Sequence, residues 1–196
     1  MSSVVVLGHS FIRRLDLSLT GLWTNLGFDP QQLHVLCLSK SGGKIPNIYA
    51  RGFTDAIQQA KPSVVLLQIG GNDLDCADIE RVKDTIVTDL FSIAGWLVHG
   101  FDIQRVGFLQ LFYRQKTRVT PVSVYNASVD WVNSTLKQRC AVSNVCIYWR
   151  HKGLKHGVSE NLCRDGVHLS DKGMRKYIYS VRGAALPGVR LAGTGT

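Results

Sequence analysis

The stretch Val4-Val5-Val6-Leu7-Gly8-His9-Ser10 decides the fold, because it sets four consecutive apolar residues directly against a glycine and two polar side chains. A strand with one wet face would alternate apolar and polar residues. An unbroken apolar run suits a strand covered on both faces, as in a parallel sheet between two layers of helices. Short, mainly apolar runs rich in β-branched residues recur at 33–38, 64–69, 105–111 and 145–149.

Between these runs the chain reads as helix at 45–60, 79–98 and 124–139, with a last helix after Ser170 reaching about residue 185. Alternating strands and helices imply parallel strands joined by crossovers. The expected fold is therefore α/β: a three-layer α/β/α sandwich around a five-stranded parallel sheet of flavodoxin-like order. The segment 10–32 holds Gly21, Gly27 and Pro30 and reads as a short helix followed by loop. Residues 1–186 suit one domain, and 187–196, rich in glycine and threonine, read as a flexible tail without a core face.

With 45% hydrophobic and 19% charged residues, the composition excludes a disordered or fibrous chain. The longest apolar candidate, 91–101, is too short to span a bilayer and is expected to be a buried helix. No basic segment or small-residue cleavage site precedes the first strand, and Cys37, Cys76, Cys140, Cys146 and Cys163 form an odd set without a C-x-x-C pair. Free thiols and a cytoplasmic setting are the expectation. The net charge of +9 gathers at 13–14, 114–118, 150–155 and 172–176. It favours anionic partners, whether nucleic acid, anionic lipid or an acidic substrate, without choosing among them.

In open α/β sheets, ligands sit beyond the carboxyl ends of the strands. There the first three runs end in Gly8-His9-Ser10, Ser39-Lys40-Ser41-Gly42-Gly43 and Gly70-Gly71-Asn72-Asp73. After the last run, Asp165-Gly166-Val167-His168 leads into a helix capped by Ser170, with Asp171 in its first turn. A serine hydroxyl is a weak nucleophile until a base removes its proton, and an attacked carbonyl needs donors for its developing negative oxygen. The chain supplies each part: Ser10 as nucleophile, His168 as general base and acid, and Asp165 to fix the histidine tautomer. The backbone N–H groups of Ser10 and Gly42 and the Asn72 amide are the candidate oxyanion donors. Gly43 is the neighbour that shapes the loop. His9 is expected to satisfy a nearby carbonyl, with no catalytic role. Tyr113, Arg114, Trp149, Arg150 and His151 follow the fourth and fifth strands and are positioned to line the pocket.

Taken in order, these blocks resemble the SGNH (GDSL-like) hydrolases, named for a serine, glycine, asparagine and histidine drawn from four separated blocks. The resemblance spans nearly the whole chain. It implies a flavodoxin-like three-layer fold, a Ser–His–Asp triad, and hydrolysis of esters, thioesters or O-acetyl groups without a metal or cofactor. One departure is that His9 stands where the family usually has an aspartate, which is not the triad acid. The opening Gly8-His9-Ser10-Phe11-Ile12-Arg13-Arg14-Leu15 is also similar to SGNH domains of some animal retroelement proteins, including the esterase domain of certain LINE retrotransposon proteins. That similarity implies short-chain or acetyl ester activity beside nucleic-acid-binding modules, with dimerisation or lipid contact.

Competing readings are weaker. Cys140, Cys146, His151, His156 and Cys163 gather in one stretch, but their spacing matches no common zinc pattern. The G-x-S-x-G elbow of α/β-hydrolases and the glycine-rich nucleotide fingerprints are missing from the sequence. The serious rival to a small-ester hydrolase is a binding module of the same fold whose basic surface docks nucleic acid or anionic lipid.

Overall fold

The computed structural model describes residues 2–154 and 159–192. Five strands form one parallel sheet: β1 (Ser2–Gly8), β2 (Leu33–Ser39), β3 (Val64–Gln68), β4 (Arg105–Leu109) and β5 (Cys146–Trp149). Their order is β2-β1-β3-β4-β5, the flavodoxin-like arrangement expected from the alternation. The helices are α1 (Ser10–Ser18), α2 (Arg51–Ala60), α3 (Ile79–Phe101), α4 (Val122–Ala141) and α5 (Asp171–Ala192).

The apolar runs divide between two cores because successive strand side chains point to opposite faces. Val5, Leu7, Val65 and Leu67 join Ile57 of α2, Leu90 and Ile93 of α3, and Val129 and Val132 of α4. Val4, Val6, Val64 and Leu66 join Ile12 and Leu15 of α1 and Tyr177 and Val181 of α5. All eight strand residues are buried, each contributing about 1.5–3 kcal/mol of apolar transfer free energy. That two-sided burial is why no polar residue interrupts 4–7 or 64–67.

Three elements differ from expectation. The segment 45–60 is a 3-10 turn (Ile45–Tyr49) followed by α2, broken where Ala50 is extended (φ −61, ψ 137). One tertiary and one local bond pin that turn: the Asp73 carboxylate accepts from Ile45 N at 3.1 Å, and Asn47 Oδ1 accepts from Lys44 N at 2.9 Å. The 91–101 stretch, expected as a buried helix, is the end of α3, a 23-residue helix that closes at Asp102 in the left-handed region; it buries Ile93, Ala94 and Leu97 and leaves Ser92, His99 and Gly100 exposed. The backbone of 187–192, expected as tail, continues α5. No described helix is long and apolar enough to cross a membrane.

The sheet's order reverses between β1 and β3, so the loops after these two strands flank one crevice at its carboxyl edge. The strands approach closely there. A Cβ on Gly8 would lie 2.3 Å from the carbonyl oxygen of Gln68, which only glycine avoids.

Candidate active site

Helix α1 starts at the end of β1, and His9, not Ser10, is its N-cap: its ring Nδ1 accepts from Phe11 N at 3.5 Å. The ring therefore serves an amide, where a carbonyl partner was expected. Burial, with the nearby charges of Arg114 and His168, lowers the His9 pKa to about 3 and keeps it neutral. Because His9 caps the helix, the Ser10 hydroxyl is left to project into the crevice. The Ser10 N–H belongs to the first turn of α1, whose amides lack partners within the helix.

His168 is carried by a small closed loop. Leu162 and Leu169 form an antiparallel bridge, and Cys163 N donates to His168 O at 2.7 Å. At the tip, Gly166 takes φ +68 and Asp165 Oδ1 accepts from both Val167 N and His168 N at 2.9 Å. Its other oxygen lies 2.8 Å from His168 Nδ1. A carboxylate only accepts, so Nδ1 carries the proton and Nε2 is left as the acceptor. The Ser10 Oγ lies 2.9 Å from that nitrogen. Partial burial alone would raise the Asp165 pKa, but the backbone N–H groups of His168 and Val167 and the His168 ring hold it down at about 2. Beyond the loop, Ser170 Oγ accepts from Gly173 N at 3.2 Å, capping α5 as expected.

The second and third strand-end loops meet at Asn72. Its Nδ2 donates to Gly43 O at 3.0 Å, and Gly43 N is used by Lys40 O at 2.9 Å. Gly42 is exposed with φ +68, and its N–H has no protein partner among the described residues. Arg114 Nη2 donates to Asn72 Oδ1 at 2.7 Å, and Arg114 Nη1 lies 3.6 Å from Asp75. Asp75 in turn accepts from the backbone N–H groups of Arg118, Val119 and Thr120. Burial opposes its ionisation, but these amides and Arg114 lower its pKa below the usual value.

These loops enclose a cleft of about 1080 Å³ that Ser10, Gly42, Asn72, Asp165 and His168 all line. Of the five residues expected to line a pocket after the fourth and fifth strands, Arg114 does so among the described residues. Trp149 and His151 turn instead into the core. Trp149 Nε1 donates to Ser180 Oγ at 3.0 Å, and His151 is bonded to Ser180 and Gln68, where burial lowers its pKa to about 3. Tyr113 donates its hydroxyl to Asp130, and Arg150 is exposed outside the cleft. The sequence reading missed Asp75 and Lys44, which both line the cleft. Asp75, three residues beyond Asn72, was the available signal.

Among the described residues no three His, Cys, Asp or Glu side chains converge as a metal would require; His156 lies outside them. Cys140 and Cys146 are free thiols in the core around β4, and burial raises both of their pKa values.

No family model matches the chain, and no curated protein matches it. Solved structures do. A GDSL-like lipase from Bacteroides thetaiotaomicron is similar over 95% of this chain and 88% of its own, with a TM-score of 0.69 at 15% identity. A carbohydrate esterase of family 3 from Talaromyces cellulolyticus is similar over 97% and 99%, with a TM-score of 0.64 at 16% identity. An acetylxylan esterase from Geobacillus stearothermophilus is similar over 96% and 94%, with a TM-score of 0.61 at 16% identity. At these identities the likeness is one of fold.

Proposed function

We propose that this protein is a serine carboxylic-ester hydrolase of the SGNH type, acting on short-chain or acetyl esters. The observation that carries the reading is the hydrogen-bonded line Ser10 Oγ, His168 Nε2, His168 Nδ1 and Asp165 Oδ2, with steps of 2.9 Å and 2.8 Å. Such a line activates a hydroxyl and holds the base in the right tautomer. The fold shared with esterases and a lipase supports the reaction class. The resemblance of residues 8–15 to retroelement esterase domains supports the short-acyl end of that class.

In the proposed reaction, Ser10 Oγ attacks the ester carbonyl carbon while His168 Nε2 takes the hydroxyl proton. The tetrahedral oxyanion is met by the N–H groups of Ser10 and Gly42 and the second Nδ2 hydrogen of Asn72, the first being held by Gly43 O. Collapse breaks the bond to the alcohol oxygen, which leaves with the proton from His168. Water, deprotonated by His168, then cleaves the acyl-serine, releasing the acid and restoring Ser10.

Hydrolysis of a short-chain aryl ester by the purified protein tests this. Turnover should fall to background in Ser10→Ala and His168→Ala proteins that keep the wild-type circular dichroism spectrum. A folded Ser10→Ala protein with wild-type turnover overturns the assignment. Asn72→Ala should cost on the order of 10²–10³ in kcat.

A further inference from the structure

The cleft around Ser10 is unbalanced in charge. Six cationic side chains line it, Arg13, Arg14, Lys44, Arg114, Lys116 and Arg118, against the carboxylates of Asp75 and Asp165. Both carboxylates are committed. Asp75 is taken by three backbone N–H groups and Arg114, and Asp165 by His168 with Arg14 at 3.8 Å. Arg13, Lys44, Lys116 and Arg118 have no carboxylate within ion-pair distance among the described residues.

Two of these four sit on a loop that is anchored on both sides. Asp75 gathers the backbone of 118–120, and Thr120 Oγ1 donates to Cys76 O at 2.7 Å. On the other side, Gln115 N donates to Gly166 O at 2.7 Å, and Lys116 Nζ reaches Arg164 O at 3.4 Å. A Cβ on Gly166 would come within 3.0 Å of Lys116 Cγ, so the lysine stem lies against the loop that presents His168. The departing alcohol receives its proton from His168, which sits on the loop that this lysine stem touches. Lys116 and Arg118 are thus cations on a fixed support that lines the same cleft as Ser10 and His168.

Resting on the esterase reading, we infer that the substrate carries a phosphate on its alcohol portion, held by Lys116 and Arg118. An ammonium and a guanidinium together supply charge-assisted donors to phosphate oxygens. A cleft lined by one sign of charge also concentrates ligands of the opposite sign, an effect that salt screens.

The test compares dibutyrylglycerol 3-phosphate with uncharged dibutyrylglycerol, matched in acyl group, on wild type, Lys116→Gln, Arg118→Gln and the double variant. The phosphate ester should have a kcat/KM at least tenfold higher at low salt. That ratio should fall tenfold or more in the double variant, and toward one as sodium chloride is raised. A parallel arm offers long-chain phosphatidic acid in vesicles: preferential turnover there assigns the phosphate to a lipid surface, and preferential turnover of the soluble ester assigns it to a free metabolite. Equal cleavage of both esters, insensitive to the variants, overturns the inference and leaves the esterase reading standing. Absence of turnover above Ser10→Ala on either ester, and on the aryl ester, overturns both.

Discussion

Arg114 Nη2 lies 2.7 Å from Asn72 Oδ1, and a guanidinium has only donors, so this contact decides which end of the asparagine amide faces it. Nδ2 is thereby turned toward Gly43 O and the cleft. Arg114 itself is buried, anchored by Asp75, and stacked with its guanidinium carbon 4.9 Å from the Tyr125 ring centre.

Arg114 is therefore expected to act as a positioning residue for an oxyanion donor. Arg114→Met should lower kcat by on the order of ten- to a hundredfold with a smaller change in KM, because an aimed donor acts mainly in the transition state. In an Asn72→Ala background the same substitution should cost much less. Additive losses in that double-mutant cycle would reduce Arg114 to a structural role. Leaving Asp75 buried without its cation should also destabilise the fold, by about 3 kcal/mol.

Asp165→Asn tests the orienter. An asparagine amide turned toward His168 Nδ1 would favour the wrong tautomer, and kcat should drop by on the order of 10³–10⁴. Because the Asp165 pKa is held at about 2, this carboxylate stays ionised through the ordinary working range. Protonation of Asp165 should therefore not account for a loss of activity at mildly acid pH.

Stability between pH 6 and pH 4 should reflect three groups. His9 and His151 bind protons at about 3 when folded, against 6.5 for a free histidine. The unfolded chain takes up those protons first, so each histidine weakens the fold by up to about 1.4 kcal/mol per unit as pH falls. Asp73 runs the other way: burial raises its pKa from 3.8 to about 6, so the folded chain binds that proton first and gains a similar slope. The net expectation is a loss of about 1.4 kcal/mol per pH unit. Urea melts should show this slope in wild type, a nearly flat response in His151→Gln, and a steeper loss in Asp73→Asn. An unchanged slope in both variants would contradict the assignment.

Gly8→Ala should separate β1 from β3 at the crevice, since the added Cβ would meet Gln68 O at 2.3 Å. A loss of about 1–3 kcal/mol or more is expected from such overpacking, read as a lowered midpoint in denaturant. Ester turnover should fall with it because Ser10 is two residues away.

The strands were legible because burial on both faces demands uninterrupted apolar runs, and 4–7 and 64–67 satisfy that demand without tertiary information. The candidate site was legible for a related reason: polar residues crowd the strand ends, where the core stops and ligands gather. Asp165 and His168 were readable as a pair because an Asp followed by a glycine builds its own turn, which is local chemistry.

What the sequence could not decide rests on contacts between distant segments. That the turn opening 45–60 is held from outside depends on Asp73, 28 residues away, reaching Ile45 N. That His151 enters the core while Arg114 lines the cleft depends on partners 83 and 42 residues away, Gln68 and Asn72. The sequence by itself determined the sheet and its layering and pointed to the chemical groups of the candidate site, since these follow from hydrophobic periodicity and local turn chemistry. Only the tertiary structure decided which way each polar side chain faces, because a buried donor or acceptor is oriented by whatever partner the fold brings within hydrogen-bond reach.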